Sequence, residues 1–327
     1  MTESQKKKLR QSYFTINELS QLSGQSRIEL LMVFMDYKPA AAETVFFDSK
    51  FKKNLPQIQD YAKKLGLYFA TSPYKYIVNS PRGIFTEIPL ADPHLGKIII
   101  AFSKSRAKAK KGAIYYHKKM LDSVYGYKFG KLMGYPECCL KFGGYLDNTV
   151  GDPNNFGFKN PAVESLKRSK HFDWHLNVFA VSLIPHFPCS LICKKSIEYV
   201  TKFFECLDYV DKKDSLMLKD YLTKPAALYW TCADRILLYG NFKKYTLGTG
   251  EINYYKIESM ITSDTYYQEV DKKKIAQWRN IEKFLQQGNK LIVTDNLCTI
   301  YQGKKKIFEI KKTNKYIPVL VKPDILP

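Results

Sequence analysis

Two short pieces of this chain carry residues that bind metals or attack electrophiles, and the two share a layout. The first is Gly134-Tyr135-Pro136-Glu137-Cys138-Cys139, and the second is His186-Phe187-Pro188-Cys189-Ser190-Leu191-Ile192-Cys193. Four of the chain's seven cysteines and one of its five histidines fall in them. The thiolate is the form of cysteine that ligates metal and acts as nucleophile, and a helix N-terminus favours it. Each piece carries the marks of such a terminus. Gly134 suits the end of one helix and Pro136 the first position of the next, which puts Cys138 and Cys139 in a first turn. Pro188 reads as opening a second helix, with Cys189 behind it and Cys193 one turn further along the same face. His186 precedes that start, in a loop constrained by Pro185 and Pro188. Adjacent helical side chains diverge by about 100°, so Cys138 and Cys139 share a ligand only at an irregular helix end.

A lone cysteine usually behaves as a small buried hydrophobe. Two proline-marked pairs and a histidine point instead to a common centre. The expected metal ligands are Cys138, Cys139, Cys189 and Cys193, with His186 as ligand or proton donor. Four thiolates suit an iron–sulfur cluster or zinc. The spacing fits neither a paired C-x-x-C zinc ribbon nor the ferredoxin run, so it leaves the metal open. An open coordination position would make the centre catalytic, with His186 and Asn177 beside a small-molecule substrate that the residues do not name. A closed one would make it structural or electron-carrying. Two other readings compete. In one, Cys139 or Cys189 is the nucleophile of a metal-free thiol enzyme, with His186 as base and a neighbouring cysteine resolving. In the other, the chain is a basic module that binds RNA or another polyanion, and its cysteines only hold the fold. Cys206, Cys232 and Cys298 read as core.

With these residues in view, the chain resembles a domain-of-unknown-function family of archaea and some bacteria. Its members share G-Y-P-x-C-C, then W-x-x-N, then H-x-P-C-S-x-x-C. Those motifs stand here, in order, at Gly134 to Cys139, Trp174 to Asn177 and His186 to Cys193. The resemblance spans about residues 96 to 200. It implies that Trp174, as a cofactor contact, and Asn177 belong to the site, and it implies no activity. Read from the residues alone, Asn177 is equally a helix cap, and His175 is a packing residue.

The elements that must position these residues come next. At 327 residues, the chain has ample length for a full core. Thr15-Ile16-Asn17-Glu18 and Ser26-Arg27-Ile28-Glu29 fit the capping-box pattern and predict two short helices, the second buried. Leu55–Leu65 reads as an amphipathic helix, and Leu67–Ala70 and Tyr76–Asn79 as strands around Ser72-Pro73. Lys97–Phe102 reads as a strand, followed by a helix through Leu121. Together they make half of a βαβ unit, with Ser103 and Ser105 at the turn where such sheets hold ligands, although an ordinary cap explains both serines. A helix over Ser123–Met133 leads into the first cysteine piece. Leu146–Ser169 reads as a surface loop, and the helix from Pro188 runs to about Val210. After Asn241 come strands at Tyr254–Ile261, Leu291–Thr294, Leu297–Gln302 and Ile307–Lys311, with a helix at Gln268–Gln287. The expected class is α+β: a mixed core, helix-rich around the cysteines, and a β-rich C-terminal region. The expected domains are residues 1–95, 96–240 and 241–327.

Composition bounds the partners. No apolar stretch approaches the roughly 18 residues of a membrane span, and the basic start Lys6-Lys7-Lys8 has no apolar segment behind it, so a cytoplasmic protein is expected. The net charge is +21, with 45 lysines among 52 basic residues. Lysine in excess serves phosphate attraction more than base recognition, which leans on arginine. The densest run, Lys104 to Lys119, is the expected contact for nucleic acid or another polyanion. A solvated basic surface is the plainer account of the same residues.

Overall fold

The computed structural model describes residues 24–78, 85–119, 124–149, 161–229, 234–246, 248–261, 272–311 and 319–323, together with 3, 4, 7, 10 and 11. The capping box at Thr15, the turn at Asp152 and Cys232 lie outside the described residues. The chain forms two compact units, Met1–Thr149 with Glu198–Leu216, and Val150–Ile197 with Met217–Pro327.

In the first unit, α1 (Gly24–Phe34) is buried without a break from Ile28 to Val33, as an all-round apolar sequence requires. β1 (Ala41–Phe46), α2 (Ser49–Lys64), β2 (Tyr68–Thr71), β3 (Tyr74–Val78), β4 (Phe85–Pro89) and β5 (Lys97–Ser103) follow. Helix α2 starts ahead of Leu55, because the Asp48 carboxylate accepts the Phe51 N–H at 2.6 Å. β5 is the centre of the sheet and is buried from Ile98 to Ser103. It pairs antiparallel with β1 on one side and with β2 and then β3 on the other. The kink between β2 and β3 is Ser72. Its amide donates to Ile99 O at 2.8 Å, and its hydroxyl accepts the Ile99 N–H at 3.0 Å.

These pairings correct the βαβ expectation. Among the described residues every strand pair of this sheet is antiparallel, so no parallel crossover follows β5. Both edges of β5 are occupied, and the next helix, α3 (Arg106–Lys119), folds back onto the sheet. Small residues permit that approach: a Cβ added at Gly112 would lie 3.3 Å from the Ala101 Cβ. Ser103 donates to Pro39 O at 2.7 Å, and Ser105 caps the Lys108 N–H at 3.4 Å, so the two serines close the turn themselves. α4 (Val124–Leu132) and α5 (Glu137–Thr149) complete this part of the chain.

The second unit holds α6 (Pro161–Lys167), which with the end of α5 replaces much of the surface loop read over Leu146–Ser169. Pro161 stands at the first position of α6, where its missing N–H costs nothing. A short 3-10 helix, Trp174–Leu176, precedes the second cysteine piece, and α7 (Lys194–Val210) and α8 (Lys212–Thr223) follow it, their residues Glu198–Leu216 belonging to the first unit. The rest is an antiparallel meander of β6 (Ala226–Tyr229), β7 (Asp234–Thr246), β8 (Thr249–Ile261), β9 (Lys290–Val293), β10 (Leu297–Gln302) and β11 (Lys305–Lys311). β12 (Val319–Val321) returns to pair with β6. Helix α9 (Lys272–Gln287) lays Trp278, Ile281 and Leu285 on Ile252, Leu291 and Ile300 of this sheet. The architecture is α+β. Position 96 falls just ahead of β5, and position 240 lies inside β7. Among the described residues no helix is long and apolar enough to cross a membrane.

Candidate metal centre

The first cysteine piece has the local structure that its residues predict. Gly134 closes α4 with φ +79°, and Tyr135 N–H reaches back to Gly130 O at 3.0 Å. A side chain at Gly134 would be doubly strained, since its Cβ would also meet Pro39 Cδ at 2.7 Å. The carbonyl of Pro136 then accepts from both Cys139 and Leu140 at 2.9 Å. Cys138 and Cys139 therefore occupy the first turn of α5, where unpaired amides and the helix dipole favour an anion. Cys138 is exposed and Cys139 is buried, and their sulfurs are 3.9 Å apart.

The second piece departs from its expectation. Pro188 does not open a helix; α7 begins at Lys194, and Cys193 caps it, accepting from Ser196 and Ile197 at 2.9 Å. The reason lies in where the backbone groups of 188–191 are used. Pro188 O accepts a short hydrogen bond from the Ser165 hydroxyl, Leu191 N–H donates to Ser169 Oγ at 2.6 Å, and Leu191 O accepts from Asp173 N–H at 3.0 Å. Bonds to α6 and to the segment behind it replace the helical ladder, so Cys189 sits on a pinned loop. The buried Ser169 hydroxyl in turn donates to Ser165 O at 2.6 Å. Replacing Ser169 with alanine strands the buried Leu191 amide and is expected to destabilise the protein by about 1–3 kcal/mol. Urea unfolding of the variant against wild type measures this.

The structure brings the four expected ligand cysteines together. The sulfurs of Cys138, Cys139, Cys189 and Cys193 all lie within 4.8 Å of one another. A tetrahedral ion with metal–sulfur bonds of roughly 2.3 Å sets its sulfurs about 3.8 Å apart, so the set needs little contraction. The donor chemistry fits a thiophilic metal, and the buried Cys139 and Cys193 give it a low-dielectric side. The six described cysteines form no disulfides.

The other expected residues are placed differently. His186 is outside the sulfur group, and its Nε2 is 3.0 Å from Ser196 Oγ in the first turn of α7. Asn177 is 2% exposed. Its amide donates to Leu222 O at 2.6 Å and accepts the Ala180 N–H at 3.1 Å, which is the capping geometry. Trp174 stacks on the His175 ring with centroids 3.8 Å apart. Sequence reasoning missed Ser165 and Ser169, which no motif marks, and the Asp173–His175 pair, which the D-x-H spacing could have shown. Asp173 Oδ1 holds both His175 Nδ1 at 2.7 Å and the His175 amide at 2.9 Å. Burial pushes the Asp173 carboxyl up, but these bonds outweigh it and hold the group below its ordinary value. Cys206, by contrast, is pushed up to about 12 by burial and then by Glu205, so it stays a neutral core thiol.

No family model, curated protein or solved structure matches this chain.

Proposed function

We propose that the protein is a zinc protein in which Cys138, Cys139, Cys189 and Cys193 hold one ion in a closed tetrahedral site. The observation that carries this reading is the mutual 4.8 Å limit on the four sulfurs. In a multi-iron cluster the cysteines bind different irons and stand outside an iron–sulfide core, which spreads them further than one ion does. Four protein thiolates fill every tetrahedral position, and such closed sites are structural. On this reading the ion holds the first turn of α5 to the loop before α7. Asp173, just ahead of the W-x-x-N segment, backs that loop through its hydrogen bond to Leu191. That supports a positioning role for Trp174 and Asn177, and the likeness to the motif family is part of the same proposal. A reducing, cytoplasmic setting, where thiols persist, belongs to the same proposal.

Metal and acid-labile sulfide analysis of anaerobically purified protein tests the proposal. One zinc per chain, no sulfide and a colourless solution are expected. Stoichiometric sulfide with a brown colour would replace the single ion with a cluster.

Metal-free thiol chemistry is the second reading, and exposed Cys138 with the Cys139 sulfur at 3.9 Å is what favours it. It requires rapid alkylation of Cys138 in protein that is isolated without metal.

A further inference from the structure

We infer that Cys138 is a site of reversible oxidation, at which hydrogen peroxide replaces the zinc ion by a disulfide between Cys138 and Cys189. The inference rests on the four-thiolate zinc reading above and adds a modification to that site. Among the six described cysteines Cys138 is the exposed one; Cys189 is half-buried, and Cys139, Cys193, Cys206 and Cys298 are buried. A site that serves only to hold a fold is protected by burying all of its sulfurs, and this one leaves a sulfur at the surface. Metal coordination keeps a bound sulfur in the thiolate form. Susceptibility to oxidation follows thiolate character and exposure together, and Cys138 has both. Cys206 has neither, since burial pushes its thiol up to about 12.

Three other sulfurs stand within 4.8 Å of the Cys138 sulfur, and the backbone chooses among them. The Cys139 sulfur is 3.9 Å away. Neighbouring residues, however, hold their Cα atoms about 3.8 Å apart, short of the roughly 4.4–6.8 Å that a disulfide spans. Both residues belong to α5, whose hydrogen bonds fix the peptide between them. Cys193 is 8% exposed, and its carbonyl holds the start of α7. Cys189 is more open, on a loop that the bonds from Pro188 to Ser165 and from Leu191 to Ser169 hold on either side. Those bonds need no metal, so the loop keeps its place when the ion leaves. The Cys138 thiolate attacks one peroxide oxygen: an S–O bond forms, the O–O bond breaks, and hydroxide leaves. The Cys189 thiolate then attacks the Cys138 sulfur; the S–S bond forms, the S–O bond breaks, and a second hydroxide leaves. The two thiolates lose two electrons, the peroxide gains them, and two solvent protons convert the hydroxides to water. Cys139 and Cys193 alone are too few to hold the ion in a tetrahedral site. A dithiol reductant returns both sulfurs to thiols and restores the four donors.

Treatment of the zinc-loaded full chain with hydrogen peroxide, beside a colorimetric zinc chelator, tests this. Release of the zinc is expected in step with the loss of two thiols per chain. A proteolytic digest of the product is expected to contain a peptide cross-linked through Cys138 and Cys189, and dithiothreitol is expected to restore zinc binding. Met217, 63% exposed, is an internal gauge, because its sulfoxide shows that peroxide has acted on the surface. The buried Cys206 and Cys298 should remain thiols throughout. A chain that takes up no zinc at the outset would overturn the zinc reading and this inference with it. Zinc that stays bound while Met217 is oxidised would overturn this inference alone. So would zinc loss with a disulfide that leaves Cys138 out, or with Cys138 driven to a sulfonic acid that dithiothreitol does not reverse.

Discussion

Serine at Cys139 or Cys193 is expected to release the metal and to cost the protein several kcal/mol of stability. Structural zinc supplies about 10–16 kcal/mol of apparent binding free energy in peptides that have no other core. Here both units have apolar cores of their own, so only part of that is expected to appear as lost stability. Each serine removes a soft anionic donor and leaves three sulfurs, too few to fill a closed tetrahedral site. Zinc content should fall from one ion per chain to well below half, and the urea midpoint should drop. A chelator should lower the wild-type midpoint and leave the serine variants unmoved. Cys206→Ser and Cys298→Ser are the controls, because both thiols are buried away from the cluster and should keep full metal content. Unchanged zinc content in Cys139→Ser, with no effect of chelator on wild type, would remove the metal centre.

Breaking the buried ion pair of the first unit is the second large effect expected. Lys38 Nζ lies 2.7 Å from Glu29 Oε2 and donates to the Tyr199 hydroxyl at 3.2 Å, and that hydroxyl donates to Glu29 Oε1 at 3.2 Å. The ring is closed, and Lys38 and Glu29 are each 5% exposed. Burial, and after it the Glu29 charge, pushes the Tyr135 and Tyr199 phenols well above their ordinary value, so both remain hydrogen-bond donors at any working pH. Lys38→Met strands the Glu29 carboxylate in this environment and is expected to cost about 3–5 kcal/mol. The double variant Glu29→Leu/Lys38→Met, with no charge left to bury, should regain most of that loss. Chemical unfolding of the two variants decides the point; equal losses in both would mean that packing rather than the uncompensated charge sets the cost. Lys38 precedes Pro39, the residue that Gly134 packs against, so loosening this ring should also disturb the turn that presents Cys138 and Cys139.

Much of this was legible in the residues. Gly134 and Pro136 located the end of α4 and the start of α5, because positive φ and a missing amide each suit one position in such a turn. Gly303, in the hairpin between β10 and β11, takes a positive φ of 59° for the same local reason. The four ligand cysteines could be named from their density and their prolines. What failed was the reading that depended on distant partners. Pro188 has the same local preference as Pro136, yet no helix follows it, because Ser165, Ser169 and Asp173 take the hydrogen-bonding groups that a helix would have used. Lys97–Phe102 looks alike in a parallel and an antiparallel sheet, since a strand buried on both faces carries no alternation to tell them apart.

The chain's composition and local spacing thus determined which thiols could act together and that the surface would be strongly basic. Only the tertiary structure decided that their sulfurs converge, that His186 and Asn177 turn to Ser196 and to backbone groups, and which lysines find a carboxylate partner. Ligand convergence and charge pairing depend on contacts between residues far apart in sequence, and local conformational preference carries no information about those.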